Sequence, residues 1–299
     1  MKVEALDLNF QGVEHTIASY LVEGPAGYVL VETGPMSTLE KLKERLQQRG
    51  LAPADIGHVL VTHIHLDHAG AAGWWAQQGA QIYVHHVGAP HLTDPSKLWS
   101  SARRIYGATM ESLWGEIWPA PAERITALYD GDTVDVAGLT FTALDTPGHA
   151  WHHHVFRLGD VAFTGDAAGV RVFGSQWISL PAPPPEFQRD KWLDTLQRLA
   201  AERFSALYLT HFGRVDAVDD HLQQFRDMLQ AATTHVRQQM EAGVARDELI
   251  KRYVEWNRER ASASGMSADT FAKYEVANPF FMSVDGIMRY MRKQAAEEQ

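Results

Sequence analysis

The chain of 299 residues contains no cysteine, so disulfides and thiolate metal ligands are excluded and any bound metal must be held by nitrogen and oxygen. Redox logic therefore leaves the compartment open. There is also no run of about 18 apolar residues, the length a membrane-crossing helix needs. The opening stretch Met1, Lys2, Val3, Glu4, Ala5, Leu6 lacks a long apolar segment ahead of a small-residue cleavage site, which gives a cytoplasmic expectation. Basic residues are in deficit: 27 Lys and Arg against 37 Asp and Glu leave a formal charge of −10. That balance repels polyanions, so neither nucleic acid nor an acidic membrane is expected as a partner, and a small-molecule substrate is. What remains is ordinary for a folded globular chain, with 45% hydrophobic and 21% charged residues. The length calls for one large domain with an appendage, or two domains.

Punctuation by Gly and Pro divides the chain. Val3 to Phe10, Thr16 to Val22 and Gly27 to Val31 read as short strands. Ser37 with Glu40 forms a capping-box pattern, and Leu39, Leu42 and Leu46 recur at helical spacing until Gly50. The apolar run His58 to Thr62 is a buried strand that ends at a histidine-rich segment, where α/β proteins place their chemistry. After a strand at Gln81 to His85, the stretch 88–122 is rich in Trp, Pro and Ser and reads as an irregular insertion. Strands recur at 133–136, 139–144, 153–156 and 161–164, followed by a helix over about 185–201 and a strand at 206–210. From Asp216 onward the spacing of Leu222, Phe225, Met228 and Leu229, and of Ile250, Tyr253 and Val254, is helical. The apolar faces of this tail suggest a homodimer.

The segment Thr62-His63-Ile64-His65-Leu66-Asp67-His68 carries four ligand-type side chains. Two of them, His63 and His65, are two apart and face one side of an extended chain. Such a set suits zinc or another borderline divalent ion, and four donors from one loop are more than one ion uses, so two ions are the economical reading. Taken alone, the segment has a solvated turn as its alternative. Three further segments each end an apolar run with a ligand-type residue beside Gly or Pro: Thr146-Pro147-Gly148-His149, Phe163-Thr164-Gly165-Asp166 and Leu209-Thr210-His211-Phe212-Gly213.

In this order the four elements resemble the metallo-β-lactamase-fold hydrolase superfamily over residues 1–215. The resemblance implies an α+β fold, a four-layered αβ/βα sandwich with the site at one edge between two sheets, and a C-terminal helical extension, 216–299, covering the cleft. It implies His63, His65 and His149 at one metal, Asp67, His68 and His211 at a second, and Asp166 as the bridge. The cofactors expected are two divalent ions, zinc first, with iron or manganese as alternatives. A metal-bridging hydroxide would be the nucleophile, and Asp67 is a candidate proton acceptor. Glu32, where the superfamily usually has Asp before Thr-Gly, is expected to orient a ligand histidine, with an exposed carboxylate on a capped turn as the alternative. His152, His153 and His154 are expected behind the site or in the core, and His85, His86 and His91 receive no function.

Substrate choice is expected to lie in the insertion, with Trp99, Tyr106, Trp114 and Trp118, in the loop Leu180 to Pro185, and in the tail. The best-fitting function is hydrolysis of a small ester, lactone or thioester. A phosphodiesterase on the same site, a mononuclear iron sulfur dioxygenase and a non-catalytic binding or regulatory protein are the alternatives. Within the superfamily the chain departs from two named branches. Gly169 stands where acyl-homoserine lactonases commonly carry Tyr, and Ala71 follows Gly70 where glyoxalase II members have a second Gly, with Arg289, Arg292 and Lys293 not matching their glutathione-binding residues.

Overall fold

The computed structural model describes residues 2–297. Its first sheet begins as an antiparallel meander of β1 (Lys2–Asp7), β2 (Ala18–Gly24) and β3 (Gly27–Val31) and continues in parallel through β4 (His58–Leu60), β5 (Gln81–His85) and β6 (Ile125–Leu128). The second sheet has the order β12-β11-β10-β9-β8-β7, built from β7 (Thr133–Val136), β8 (Leu139–Asp145), β9 (His154–Leu158), β10 (Val161–Gly165), β11 (Ala206–Leu209) and β12 (Gly213–Val215). Only β10 and β11 pair in parallel there.

Period-two side-chain alternation sorts each central strand between two cores. On β4, Leu60 joins Tyr20, Val31, Phe141, Phe156 and Phe163 between the sheets, while Val59 faces the first helical layer. On β11, Ala206 and Tyr208 lie in the inter-sheet core and Leu207 and Leu209 face the second helical layer. The result is helix, sheet, sheet, helix, as expected from the sequence.

The first outer layer holds α1 (Leu39–Gln47), α2 (Leu66–Ala69), α3 (Ala72–Gln77), α4 (Ala89–Thr93), α5 (Ser96–Tyr106) and α6 (Met110–Trp114). In α1 the stripe Leu39, Leu42 and Leu46 is buried, each side chain contributing about 1.5–3 kcal/mol relative to exposure. Its start differs from the capping-box expectation: Ser37 Oγ donates to Leu113 O at 2.6 Å, which ties α1 to α6 instead of capping it. The insertion is helical rather than irregular. Pro90 and Pro95 sit where a helix begins and their missing N–H costs nothing, so prolines that read as breakers mark starts instead. Strands β6 and β12 are short and were not marked by the sequence pattern.

On the other face lie α7 (Arg189–Ala201), α8 (Val218–Glu241), α9 (Arg246–Ala263), α10 (Ala268–Ala277) and α11 (Phe280–Glu297). Phe225 of α8 meets Trp192 of α7 with centroids 5.3 Å apart, and one hydrophobic cluster runs from Leu207 through Trp192 and Phe225 to Tyr253 and Ile287. The tail therefore shares its core with the second sheet. No helix among the described residues is long and apolar enough to cross a membrane.

Candidate metal centre

Each site segment leaves the carboxyl end of a strand. Thr62 to His68 follows β4, Thr146 to His149 follows β8, Asp166 follows β10 and His211 follows β11. His65 is extended, with φ −61° and ψ 153°, and caps α2, whose single turn carries Asp67 and His68. The parallel pairing of β10 with β11 brings the ends that carry Asp166 and His211 side by side. All seven residues that the resemblance singled out converge, in three overlapping groups: His63, His65 and His149; His63, His68 and Asp166; Asp67, His68 and His211.

In the first group, His65 Nδ1 lies 3.0 Å from His63 Nε2 and 2.8 Å from His149 Nε2. Partners behind the rings decide the tautomers. His149 Nδ1 donates to Pro181 O at 2.8 Å. His63 Nδ1 faces Thr62 Oγ1 at 3.0 Å, and that hydroxyl spends its own proton on Glu32 Oε1 at 2.5 Å, so His63 Nδ1 is the donor. Both Nε2 atoms therefore present lone pairs to His65, which has one proton at most to offer. Burial holds His63 well below the ordinary histidine value, and burial with His149 and His152 nearby lowers His65 to about 3. This cluster is short of protons.

The second group is built the other way. Asp67 Oδ2 lies 3.4 Å from His211 Nε2 and 3.6 Å from His68 Nε2, and Asp166 Oδ1 lies 3.4 Å from both nitrogens. Asp166 Oδ2 points the other way, 3.3 Å from His149 Nε2, so one carboxylate spans both groups. His211 Nδ1 donates to Thr16 O at 2.8 Å, which leaves Nε2 facing the carboxylates. Burial opposes charge on His68, but Asp67, Asp166 and Glu32 outweigh it and hold the imidazole well above its ordinary value; at His211 burial is likewise outweighed by Asp166 and Asp67, which raise it. Against the same burial, His68 and His211 lower Asp67 to about 2.

Glu32 is buried, contrary to the exposed-turn alternative, and departs from the regular backbone with φ +66°, in the left-handed region that a non-glycine residue rarely occupies. Its carboxylate accepts from Thr62 Oγ1, from His68 Nδ1 at 3.2 Å, from Thr210 Oγ1 at 3.4 Å and from Thr62 N at 3.3 Å. His153 supports the other side: its Nε2 accepts from Asp166 N at 3.2 Å and its Nδ1 faces Thr146 Oγ1 at 2.8 Å. Gly165, with φ +48°, makes that approach possible, because a Cβ there would stand 2.4 Å from Thr62 Oγ1 and 2.8 Å from His153 Nε2. Gly169 turns at φ +78° against Phe225, where a Cβ would stand 2.7 Å away, so a tyrosine does not fit at that position.

The donor set fits divalent ions. His68 Nε2 and Asp166 Oδ1 are buried with no hydrogen-bond partner, a costly state unless a cation completes them. Separations of 3.3–3.6 Å are too long for good hydrogen bonds. They match the ligand-to-ligand edge of about 3.3–3.4 Å that a tetrahedral ion with bonds of about 2.0–2.1 Å demands.

A cleft of about 330 Å³ opens over these groups, its floor including His65, Asp67, His149 and Asp166. It is lined by Ile64, Leu98, Ile105 and Trp114 on the first-sheet side of the chain's core, by the prolines of the 181–185 loop, and by Val276, Pro279 and Met282 at the α10–α11 corner. Of the insertion aromatics, Tyr106 and Trp114 line it, centroids 5.2 Å apart, whereas Trp99 packs on the first core and Trp118 places its backbone carbonyl over Gly73. His152, expected behind the site or in the core, and His91, given no function, both line the cleft. His154 and His85 share Asp145 Oδ1 at 2.6 and 3.3 Å, and His86 stacks on Tyr129. Val87 N donates to His85 Nδ1 at 3.0 Å, which leaves His85 Nε2 turned to Asp145, while His154 Nε2 is hydrogen-bonded to the same oxygen. Glu186 in the proline-rich loop was missed. Nothing in its local sequence sets it apart.

Comparison with known proteins agrees with this geometry. The sequence profile of the metallo-beta-lactamase superfamily matches residues 13–211. A metallo-beta-lactamase fold-containing protein of Sulfurisphaera tokodaii is 24% identical over 208 residues, 68% of this chain and 77% of that one. A metallo-beta-lactamase family protein of Thermus thermophilus has the same fold, with a TM-score of 0.70 at 22% identity over 98% of this chain and 94% of its own. A subclass B3 metallo-beta-lactamase of Bradyrhizobium japonicum superposes with a TM-score of 0.55 at 19% identity, covering 81% of this chain and 96% of that one. The chain belongs to the metallo-beta-lactamase superfamily, whose fold carries metal-dependent hydrolases.

Proposed function

We propose that the protein is a dinuclear metal-dependent hydrolase of a small ester, lactone or thioester with an apolar acyl part. The observation that carries this reading is the position of Asp166, whose two oxygens face the three-imidazole group and the Asp67, His68, His211 group at the floor of an apolar cleft. His63, His65 and His149 would hold one ion, Asp67, His68 and His211 the other, and Asp166 both. Two divalent ions there would supply a bridging hydroxide at neutral pH and polarise the scissile carbonyl oxygen.

The residues of the chain do the rest. Pro181 O, Thr16 O, Thr62 and Glu32 hold the rings of His149, His211, His63 and His68 in place, so ion binding requires loss of protons at His68 and His211 but no turning of these rings. Ile64, Trp114 and the α10–α11 corner exclude water from the acyl part, and in this sense the helical tail covers the cleft. Asp67, lowered to about 2, stays ionised across the neutral range and is a weak base, so its work is coordination more than proton transfer. The assembled second group favours two ions over a single iron. Elemental analysis of the purified chain with an ester, lactone, thioester and phosphodiester panel tests the reading. Two ions per chain with turnover of acyl substrates is expected; one iron per chain, or intact loading with no turnover of any class, would sink it.

A further inference from the structure

Beyond the seven converging residues, the cleft contains one more carboxylate, and the structure leaves it short of donors. Glu186 projects from the proline-rich loop onto the same cavity as His65, His149 and Asp166, with its side chain 26% exposed. Its Oε2 lies 3.0 Å from His152 Nε2 but off the line of a hydrogen bond, so this buried oxygen has no hydrogen-bond partner. His152 is the one basic group in ion-pair range of Glu186 among the described residues. The imidazole is itself held, with Ile64 N pointing at its Nδ1 from 3.4 Å. Glu186 Oε2 is turned away to His152, so the exposed part of the carboxylate is what meets the cleft, and a charge on an apolar wall favours a ligand that brings a hydrogen-bond donor to it.

The location says which ligand. Donor atoms of His65, His152 and Glu186 lie within 4.8 Å of one another. His65 Nδ1 is already turned to His63 and His149, so this trio is not a third metal site built on the same nitrogen. Because Glu186 lies that close to His65, a carbonyl held beside His65 would direct a substituent on its neighbouring carbon toward Glu186. We propose that Glu186, backed by His152, binds a hydroxyl or ammonium group carried next to the scissile carbonyl of an apolar acyl substrate. This subsite rests on the hydrolase reading and adds to it a substrate class, an acyl compound bearing a hydrogen-bond donor close to the carbonyl.

The test uses the metal-loaded protein and matched p-nitrophenyl esters of octanoic, α-hydroxyoctanoic and α-aminooctanoic acid. The wild type is expected to favour the two donor-bearing esters by at least about tenfold in kcat/KM, mostly through KM, the size of one charge-assisted hydrogen bond. Glu186→Met is expected to shrink both preferences to about twofold or less. Glu186→Gln keeps an acceptor without the charge, so it should restore part of the hydroxyl preference and none of the ammonium preference. The proposal is overturned if Glu186→Met leaves the preferences unchanged, if the wild type turns over all three esters alike, or if a third ion per chain disappears in Glu186→Met. Turnover of none of the three counts against the hydrolase reading instead. In that case calorimetric binding of α-aminooctanoic and octanoic acid decides the subsite: tighter binding of the amino acid, lost in Glu186→Met, supports it, and equal binding overturns it.

Discussion

The two halves of the centre stand on either side of one carboxylate and solve opposite problems. His63, His65 and His149 face one another with Asp166 Oδ2 beside His149 at 3.3 Å, yet burial outweighs that charge and keeps them neutral, and their ring nitrogens crowd together at 2.8–3.0 Å. His68 and His211 are as deeply buried, yet Asp67 and Asp166 hold protons on them. One group waits for a cation with its lone pairs free; the other holds protons where the cation would sit. The same residue type therefore differs in readiness for metal, and neighbouring carboxylates make the difference.

The strongest way to break the comparison is to remove what the halves share. Asp166→Ala should lose the ion at the Asp67, His68, His211 group and lower turnover by at least about a thousandfold, as the loss of several kcal/mol of charge stabilisation implies. Elemental analysis alongside steady-state kinetics checks it, and full loading with normal turnover would refute the bridge. Next come the crossed single variants. His149→Ala and His211→Ala should each leave about one ion per chain, from opposite halves, with turnover reduced by roughly a hundredfold or more. Loss of both ions in either variant would mean that the halves do not bind independently.

Acidity should separate the halves without mutation. Because the folded, metal-free protein holds His68 and His211 above their ordinary values, an ion entering there must expel a proton at neutral pH. Its apparent affinity should fall as the pH is lowered from about 8 to 6, by up to about tenfold per unit for each proton displaced. The His63, His65, His149 group is already neutral in that window, with His65 at about 3, so its affinity should change far less. Competition with a chromophoric chelator across this range reads both constants, and parallel slopes would contradict the assignment of the protons.

The smallest effect sharpens the comparison from behind. Glu32 touches His68 directly and His63 only through the Thr62 hydroxyl. Glu32→Asp, one methylene shorter, cannot reach Thr62, Thr210 and His68 together. It should weaken ion binding at the His68 half by about ten- to a hundredfold and at the His63 half by less, measured by the same chelator competition. An equal loss at both halves would show that Thr62 transmits the whole effect.

How much of this was legible in the sequence depends on range. Thr62 to His68 was legible because its donors are neighbours in the chain. His149, Asp166 and His211 were legible because each closes an apolar run beside Gly or Pro. The helices of 88–122 were obscured because Pro90, Pro95 and Gly107 look like breakers when seen without the layer they pack on. Glu186 carried no signal and His152 was legible only as a residue behind the site or in the core, since their meeting at the cleft arises from packing of the proline-rich loop.

By itself the sequence determined the donor types, their order and the absence of thiolate, because chemistry and local spacing are written residue by residue. Tertiary structure alone decided which histidines the carboxylates favour in protonated form, which oxygen of Asp166 faces which group, and that the Glu186 carboxylate stands beside His152 at the cleft. Those are consequences of burial and of charges brought close by strand pairing between β10 and β11 and by the docking of the tail, and both join residues far apart in the chain.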